Sequence, residues 1–207
     1  MSARLPGGRV QRLGVFGGAF DPPHAAHRAL VETALDQLQL DRLLIVPTGE
    51  AWHKTRPLSE AAHRVAMARL AFEDLPWVVV DTRETTRSGP SYSIDTLRAL
   101  QRENPGAQLF LVIGQDQARV LSTWRESQAL VRLAIICVAA RQDSTGTSVH
   151  FVPPPGLEHR FVQLDLPGLP VSATDIRARA ASGQRVVPLV CDAVARYIVL
   201  HHLYQSA

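Results

Sequence analysis

GGAFDPPHAAH, residues 17–27, lies between two apolar stretches of different periodicity. The run Leu13-Gly14-Val15-Phe16 precedes it and has the length and apolar character of a buried strand. After it, apolar residues recur at helical spacing, at Leu30, Val31, Ala34, Leu35 and Leu38. The pattern predicts a strand, a glycine turn and a helix that begins near His24.

The glycine turn has the features of an anion site. Gly17 and Gly18 allow backbone angles and close approaches that a side chain would forbid. The helix beyond them presents N–H groups without intrahelical partners and a partial positive charge, which suits phosphate. His24 and His27 would lie on one helical face within the first turn. We therefore predict a phosphate cradle with two imidazoles beside it.

The length and the amino-acid composition of the chain are ordinary for a soluble globular protein. The chain has 207 residues, of which 46% are hydrophobic and 20% charged, enough for one substantial core. The apolar run from Leu133 to Ala140 is too short to span a bilayer, and residues 1–12 lack the apolar region of a secretory signal. We expect a loose extension over 1–12, a single domain over 13–207, no membrane segment and a cytoplasmic location.

The cysteines and the charge pattern exclude several function classes. Cys137 and Cys191 have no metal-ligand or redox spacing, so we expect two buried free thiols. The formal net charge of +3 is scattered along the chain, which favours small anionic substrates. A nucleic-acid partner is not expected, because no basic stripe with interleaved aromatic residues is present.

Apolar runs and helical patterns alternate along the rest of the chain, with no internal repeat. Further strands are predicted at residues 42–47, 77–81, 108–113, 133–140 and 161–166. Helices are predicted after the caps Ser59 and Ser93, after Trp124, from 171–177 to Gly183, and over 188–202. Residues 141–155 are rich in Ser, Thr, Gly and Pro, a composition that predicts a mobile or extended loop. The alternation predicts an α/β fold, a Rossmann-like, doubly wound parallel sheet covered on both faces.

Polar segments follow the ends of the predicted strands, where ligands bind in such sheets. In the segment 171–177, Ser172 or Thr174 can cap a helix or donate to a phosphate. Arg177, three residues beyond Thr174, can reach the same anion with its planar guanidinium. This segment and the glycine turn can therefore converge on one phosphate group.

Two of these segments resemble family signatures. Residues 17–27 resemble the GG-x-F-D-P-x-H-x-G-H signature of the nucleotidylyltransferase superfamily, and residues 171–177 resemble the I-S-x-T-x-I-R signature of adenylyltransferases. Residues 52–54, 91–97, 113–116 and 123–124 are similar to segments of the bacterial nicotinate mononucleotide adenylyltransferases. The resemblance implies adenylyl transfer from ATP, with Mg²⁺, to nicotinate mononucleotide by direct in-line attack, giving deamido-NAD and pyrophosphate.

The resemblance also assigns residues to each substrate. It implies catalytic roles for His24, His27 and Arg177. The ATP-binding residues it implies are Gly17, Gly18, Ala19, Phe20, His24, His27, Gly114, Asp116, Ser172, Thr174 and Arg177. The residues it implies for nicotinate mononucleotide are His53, Lys54, Tyr92, Ser93, Ile94, Trp124 and Arg125.

Chemical roles follow for several of these residues. Trp124 would stack on the pyridine ring with Tyr92 nearby, and backbone N–H groups around Ile94 would bind the carboxylate. His53 and Lys54 would hold the mononucleotide phosphate. Asp116 would bind ribose hydroxyls or the adenosine part.

The sequence departs from the family pattern at two positions and leaves alternatives open. Ala19 replaces a threonine hydroxyl, and Ala26 adds a methyl where the family has glycine. Other acceptors, such as nicotinamide mononucleotide or phosphopantetheine, and a non-catalytic nucleotide-binding module remain alternatives. A zinc site at His24 and His27 lacks a third ligand at recognisable spacing, so we assign no metal ligand. We expect a monomer or a homodimer.

Overall fold

The structure is a computed structural model that describes residues 10–50, 58–139, 141–142, 148–149, 151–166 and 168–205. Its strands are β1 (Arg12–Gly18), β2 (Arg42–Pro47), β3 (Val78–Val80), β4 (Gln108–Gly114), β5 (Ala134–Ala139), β6 (Arg141–Gln142), β7 (Ser148–Val149) and β8 (Phe161–Leu164). Its α-helices are α1 (Ala25–Gln37), α2 (Ala61–Phe72), α3 (Arg83–Thr86), α4 (Ser93–Glu103), α5 (Gln115–Arg119), α6 (Ser127–Leu133), α7 (Ala173–Ala181) and α8 (Asp192–Leu200).

Six of the strands form one parallel sheet in the order β3-β2-β1-β4-β5-β8. Phe16 of β1 lies opposite Ile45 of β2 on one side and Val112 of β4 on the other. The chain runs outward from β1 to β3, then returns to β4 and runs outward in the other direction. The order therefore reverses between β1 and β4, and in such sheets a ligand crevice opens at the carboxyl ends of these two strands.

Helices cover both faces of the sheet because side chains alternate along each strand. Phe16 points into a cluster with fully buried residues of α1, α2, α7 and α8, among them Val31 and Ile176. Val15 points into the opposite cluster, where Leu97 of α4 and Leu130 of α6 are buried. The predicted doubly wound, Rossmann-like α/β fold is confirmed.

The first strand begins at Arg12, one residue before the predicted run. The Arg12 guanidinium lies 4.5 Å from the centre of the Phe110 ring, and its Nε donates to the Leu38 carbonyl at 2.8 Å.

Residues 1–9 lie outside the described part of the chain. Within that part, no helix combines the length and the apolar character that crossing a membrane requires.

Both predicted serine caps are wrong. Helix α2 starts after Glu60, since the Ser59 carbonyl accepts from the Arg64 side chain and the Ser59 N–H donates to Asp21. Helix α4 includes Ser93 as its first residue, because Tyr92 is the extended residue whose carbonyl accepts the first helical hydrogen bonds. The short helix α3 was not predicted either, since its sequence Arg-Glu-Thr-Thr has no apolar period.

Three other expectations are corrected. The predicted loop at 141–155 contains an antiparallel pair, with Arg141 opposite Val149. The last helix begins at Asp192 rather than at 188, because the Leu189 carbonyl accepts from Ala25 at the start of α1 instead of within a helix. Cys191 is exposed, whereas Cys137 is buried and burial raises the pKa of its thiol to about 12.

Candidate active site

The glycine turn, defined as residues 17–24, lies where the sheet order reverses. Gly18 ends β1, and a Cβ at that position would stand 3.2 Å from the Phe20 ring, which packs across it. Phe20 has a left-handed backbone, with φ of +49°, and is only 1% exposed. Its ring meets those of Phe16 and Phe72 edge to face. The turn is therefore anchored in the core by an aromatic side chain while its backbone faces the crevice.

The two histidines stack at the start of α1. His24 is the extended residue before the helix, and its ring lies 3.7 Å from that of His27, with 19° between the planes. The His24 backbone N–H donates to Nδ1 of His27 at 3.2 Å. Because an accepting ring nitrogen carries no proton, a neutral His27 carries its proton on Nε2. His27 is thereby prepared as a hydrogen-bond donor toward an anion.

Arg177 joins the second predicted motif to the glycine turn. Its Nη1 donates to the Asp21 carbonyl at 2.8 Å, and its Nη2 donates to Thr174 Oγ1 at 3.0 Å. Ser172 caps α7, since its Oγ accepts from the Asp175 N–H at 3.1 Å and donates to the Asp175 carboxylate at 2.7 Å. The structure thus brings Arg177 to the turn, as predicted, and uses the Ser172 hydroxyl as a helix cap.

A buried polar network supports the turn and was missed by the sequence analysis. The Asp21 carboxylate is 2% exposed and accepts from the Tyr204 hydroxyl at 2.8 Å and from the Ser59 N–H at 3.3 Å. Arg64, also 2% exposed, donates to the Ala19 carbonyl at 3.0 Å. Burial lowers the pKa of Arg64, and the nearby Asp21 charge opposes that shift. The one feature of the sequence that could have indicated this network is Arg64, a charged residue on the apolar face of α2.

Gly114 and Asp116 lie at the end of β4, on the other side of the reversal point. Gly114 is the extended residue before α5, and Asp116 is exposed in the first turn of that helix. Their placement beside the carboxyl end of β1 follows from the pairing of β1 with β4. Both residues therefore border the crevice that the glycine turn lines.

The aromatic segments, defined as residues 90–94 and 124–126, come together on the same side of the sheet as α4 and α6. The Arg125 guanidinium lies 4.6 Å from the centre of the Tyr92 ring, a cation–π contact. Trp124 and Tyr92 pack partly buried against the same apolar cluster. The Ile94 side chain is 1% exposed, so only its backbone can meet a ligand. His53 and Lys54 lie outside the described residues.

A second buried carboxylate supports these segments and was also missed. Glu84 is 6% exposed and accepts from Thr96 Oγ1 at 2.6 Å, while burial raises the pKa of Glu84. A Cβ at Gly49 would overlap the Glu84 carbonyl oxygen, so the close approach requires glycine. The Gly49 N–H donates to Ser91 Oγ at 3.2 Å. The end of β2 is thereby attached to the segment that precedes α4.

The described residues provide no group of three or more His, Cys, Asp or Glu side chains arranged to hold a metal ion. A divalent cation at this site would therefore depend on ligands from the substrate. Mg²⁺ commonly binds in this way, with substrate phosphates and water completing its shell. The exposed Asp116 carboxylate offers one oxygen ligand to a metal that arrives with a polyphosphate.

Comparisons with known proteins extend these observations. The model of the cytidylyltransferase-like family matches residues 15–179. A protein of Albidiferax ferrireducens named "Probable nicotinate-nucleotide adenylyltransferase" is 58% identical over 198 residues, 96% of this chain and 100% of the relative. A protein of the same name from Methylibium petroleiphilum is 43% identical over 201 residues, 94% of this chain and 92% of the relative.

A solved structure shares the fold. The nicotinic acid mononucleotide adenylyltransferase of Plasmodium falciparum, complexed with NaAD, superposes with a TM-score of 0.76 at 17% identity, covering 94% of this chain and 97% of that one. The glycine turn and the Arg177 motif both lie within the residues that the family model matches. The chain belongs to the cytidylyltransferase-like family and, within it, to the nicotinate-nucleotide adenylyltransferases.

Proposed function

We propose that this protein transfers the adenylyl group of ATP to nicotinate mononucleotide, giving nicotinate adenine dinucleotide and pyrophosphate, a step of NAD biosynthesis. The chief support is the juxtaposition of the glycine turn, the stacked histidines and Arg177 at the point where the sheet order reverses. The names of close relatives supply the acceptor. An adenylyltransferase needs a polyphosphate site beside an acceptor site, and this chain offers one candidate for each.

The glycine turn and α7 bind ATP in this proposal. Backbone N–H groups that follow Gly18 and the Nε2–H of His27 donate to phosphate oxygens, beside the positive end of α1. Arg177 uses part of its guanidinium on Asp21 and Thr174, so its position is fixed before the substrate arrives. Gly114 and Asp116 take the nucleoside end of ATP. Preorganised donors of this kind are worth more than flexible ones, since they need no reorganisation during the reaction.

The aromatic segments bind the acceptor. Trp124 and Tyr92 offer aromatic surface to the pyridine ring, and Arg125 adds positive charge beside them. As the second residue of α4, Ile94 has an N–H ahead of the first intrahelical hydrogen bond, where the helix favours a carboxylate. This arrangement favours nicotinate over nicotinamide. His53 and Lys54 complete the proposed site at the acceptor phosphate.

The reaction needs alignment more than covalent chemistry. A phosphate oxygen of nicotinate mononucleotide attacks the α-phosphorus of ATP, and the bond from that phosphorus to the bridging oxygen breaks. Pyrophosphate leaves with the bonding electron pair, and no covalent enzyme intermediate forms. Holding two anions in line can lower the barrier by about 7–11 kcal/mol. His24, His27 and Arg177 stabilise the negative charge that develops on pyrophosphate. A divalent cation such as Mg²⁺, brought in with ATP, would add charge neutralisation there.

The acceptor is tested by pyrophosphate release from ATP and Mg²⁺ with three acceptors: nicotinate mononucleotide, nicotinamide mononucleotide and phosphopantetheine. We expect the highest kcat/KM with the first, because the proposed carboxylate site has no partner in the other two. Absence of turnover with nicotinate mononucleotide would refute the proposal. A protein that binds ATP but releases no pyrophosphate with any acceptor would be a nucleotide-binding module.

Assembly and location belong to the same proposal. We propose a monomer or homodimer, acting on small molecules in the cytoplasm without a nucleic-acid partner. Light scattering after size exclusion measures the number of copies directly.

A further inference from the structure

The side chain of Tyr204 connects the C-terminal end of the described chain to the glycine turn. Its hydroxyl donates to Asp21 Oδ1 at 2.8 Å, across 183 positions of sequence. Its ring packs against the same apolar cluster as α2 and α8, and the hydroxyl also lies 3.9 Å from Met67 Sδ. The Tyr204 side chain thus has two separate roles: its ring packs in the core, and its hydroxyl binds the turn.

The backbone around Tyr204 adopts an unfavourable conformation to reach that position. His202 and Tyr204 have φ of +49° and +67°, in the left-handed region that L-residues avoid. The Leu203 N–H donates to the Ile198 carbonyl at 3.0 Å, which folds the chain back after α8. At His202 this is the left-handed residue that commonly ends a helix, whereas at Tyr204 it follows the helix end, where the side chain contacts the turn.

The Asp21 carboxylate is placed to hold the turn rather than to bind a substrate. It is buried, it accepts from Tyr204 and from the Ser59 N–H, and the Arg64 charge acts on it. A carboxylate facing a triphosphate would repel it. The Asp21 backbone carbonyl accepts from Arg177. Asp21 therefore links the buried network below the turn to the arginine beside it.

We propose that Tyr204 is a positioning residue for ATP, acting through Asp21 without touching the substrate. Its hydroxyl fixes the Asp21 carboxylate, and the Asp21 backbone fixes the turn and the Arg177 guanidinium. Burial and the Asp21 charge raise the pKa of Tyr204, so the hydroxyl remains a donor at neutral pH. The inference rests on the proposed function, because it assigns the glycine turn to ATP.

Tyr204→Phe tests this role, with Tyr197→Phe as the matched control. Tyr197 is also a partly buried residue at the C-terminal end, but its hydroxyl contacts His63 Nδ1 at 3.0 Å, away from the turn. We expect Tyr204→Phe to raise KM for ATP by about tenfold, as loss of a hydrogen bond to a charged group does, and to change KM for nicotinate mononucleotide less than about twofold. The control is expected to leave both constants unchanged.

Calorimetry of Mg-ATP binding, without any acceptor, separates this inference from the choice of acceptor. The dissociation constant is expected to rise by about tenfold in Tyr204→Phe even if the wild-type protein uses another acceptor. Equal shifts of both KM values, or a lowered unfolding temperature with unchanged ATP binding, would show a merely structural role and overturn the inference.

A double-mutant cycle with Asp21→Asn asks whether Tyr204 acts through Asp21. If it does, adding Tyr204→Phe to Asp21→Asn costs little further ATP affinity, so the two effects are not additive. Additive losses would overturn the inference. If Asp21→Asn does not fold, Asp21→Glu takes its place in the cycle, because it keeps the negative charge beside Arg64 and moves the carboxylate relative to the Tyr204 hydroxyl.

Discussion

The glycine turn and the aromatic segments are built in different ways. Hydrogen bonds from buried side chains of distant segments hold the turn, with Arg64 and Tyr204 acting on its backbone and on Asp21. The aromatic segments have one buried carboxylate beside them, Glu84, and are otherwise held by core packing and by contacts nearer the surface, such as Arg125 against Tyr92 and the Arg98–Glu126 pair at 2.6 Å. Exposed ion pairs and cation–π contacts are weak, typically below about 1 kcal/mol each.

The difference indicates how the two proposed substrates are handled. A turn anchored by the buried Phe20 and Asp21 side chains resists displacement, which suits a group whose charge must be stabilised at a fixed point in the transition state. The partly buried rings of Tyr92 and Trp124 present a flat apolar surface, which suits recognition of a flat ring. Substitutions in the turn are therefore expected to affect kcat, and those in the aromatic segments to affect KM for the acceptor.

The largest effect is expected from His27→Ala. We expect kcat to fall by about 10²–10³-fold, because one preorganised hydrogen-bond donor is lost. The unfolding temperature is expected to change by less than about 4 °C. Pyrophosphate release at saturating substrates and thermal unfolding measure the two quantities. His63→Ala is the matched control, since His63 packs on Tyr197 and His201. A folded His27→Ala protein with wild-type kcat would remove His27 from the catalytic assignment.

Trp124→Ala is expected to have an intermediate effect confined to the acceptor. Loss of one stacking surface raises KM for nicotinate mononucleotide by about tenfold and leaves KM for ATP within about twofold. Steady-state kinetics with each substrate varied in turn provides the measurement. Trp77→Ala serves as the control, because Trp77 is 63% exposed and lies beside the edge strand β3. If both KM values rose equally, the two regions would not divide the substrates.

The smallest effect is expected from Ala26→Gly, which restores the glycine of the family signature. Ala26 is the second residue of α1, where glycine lowers the free energy of unfolding by about 0.5–1 kcal/mol. We expect KM for ATP to stay within about twofold, since the methyl does not alter the hydrogen bonds of the turn. Urea denaturation measures the stability change, with Ala29→Gly in the same helix for comparison. A more stable Ala26→Gly protein would contradict the helical placement of this residue.

Local patterns were sufficient for the framework of the site. The strand, turn and helix around residues 17–27 were predicted because apolar period, paired glycines and helix start all lie within one short segment. The approach of Arg177 to the turn, across 156 positions, was expected for a different reason, because residues 17–27 and 171–177 each carry an anion-binding pattern and could converge on one phosphate. Predictions of the first kind succeed where neighbouring residues determine the structure.

Long-range contacts account for what was missed. Tyr204 and Asp21 are 183 positions apart, and nothing in either local sequence indicates the partner. Ser93 has the side chain of a helix cap, yet the helix begins one residue earlier because Tyr92 supplies the extended backbone and the accepting carbonyl. Helix propensity leaves neighbouring helix starts nearly equal in free energy, so tertiary contacts decide which of them is used.

The Gly49–Glu84 approach has a consequence for the chain that follows it. Glu50 bridges to Pro90 in one aromatic segment, and Ser59 binds Asp21 below the glycine turn. The two described ends that flank His53 and Lys54, Glu50 and Ser59, are therefore held at different proposed sites, the first at the acceptor site and the second at the ATP site.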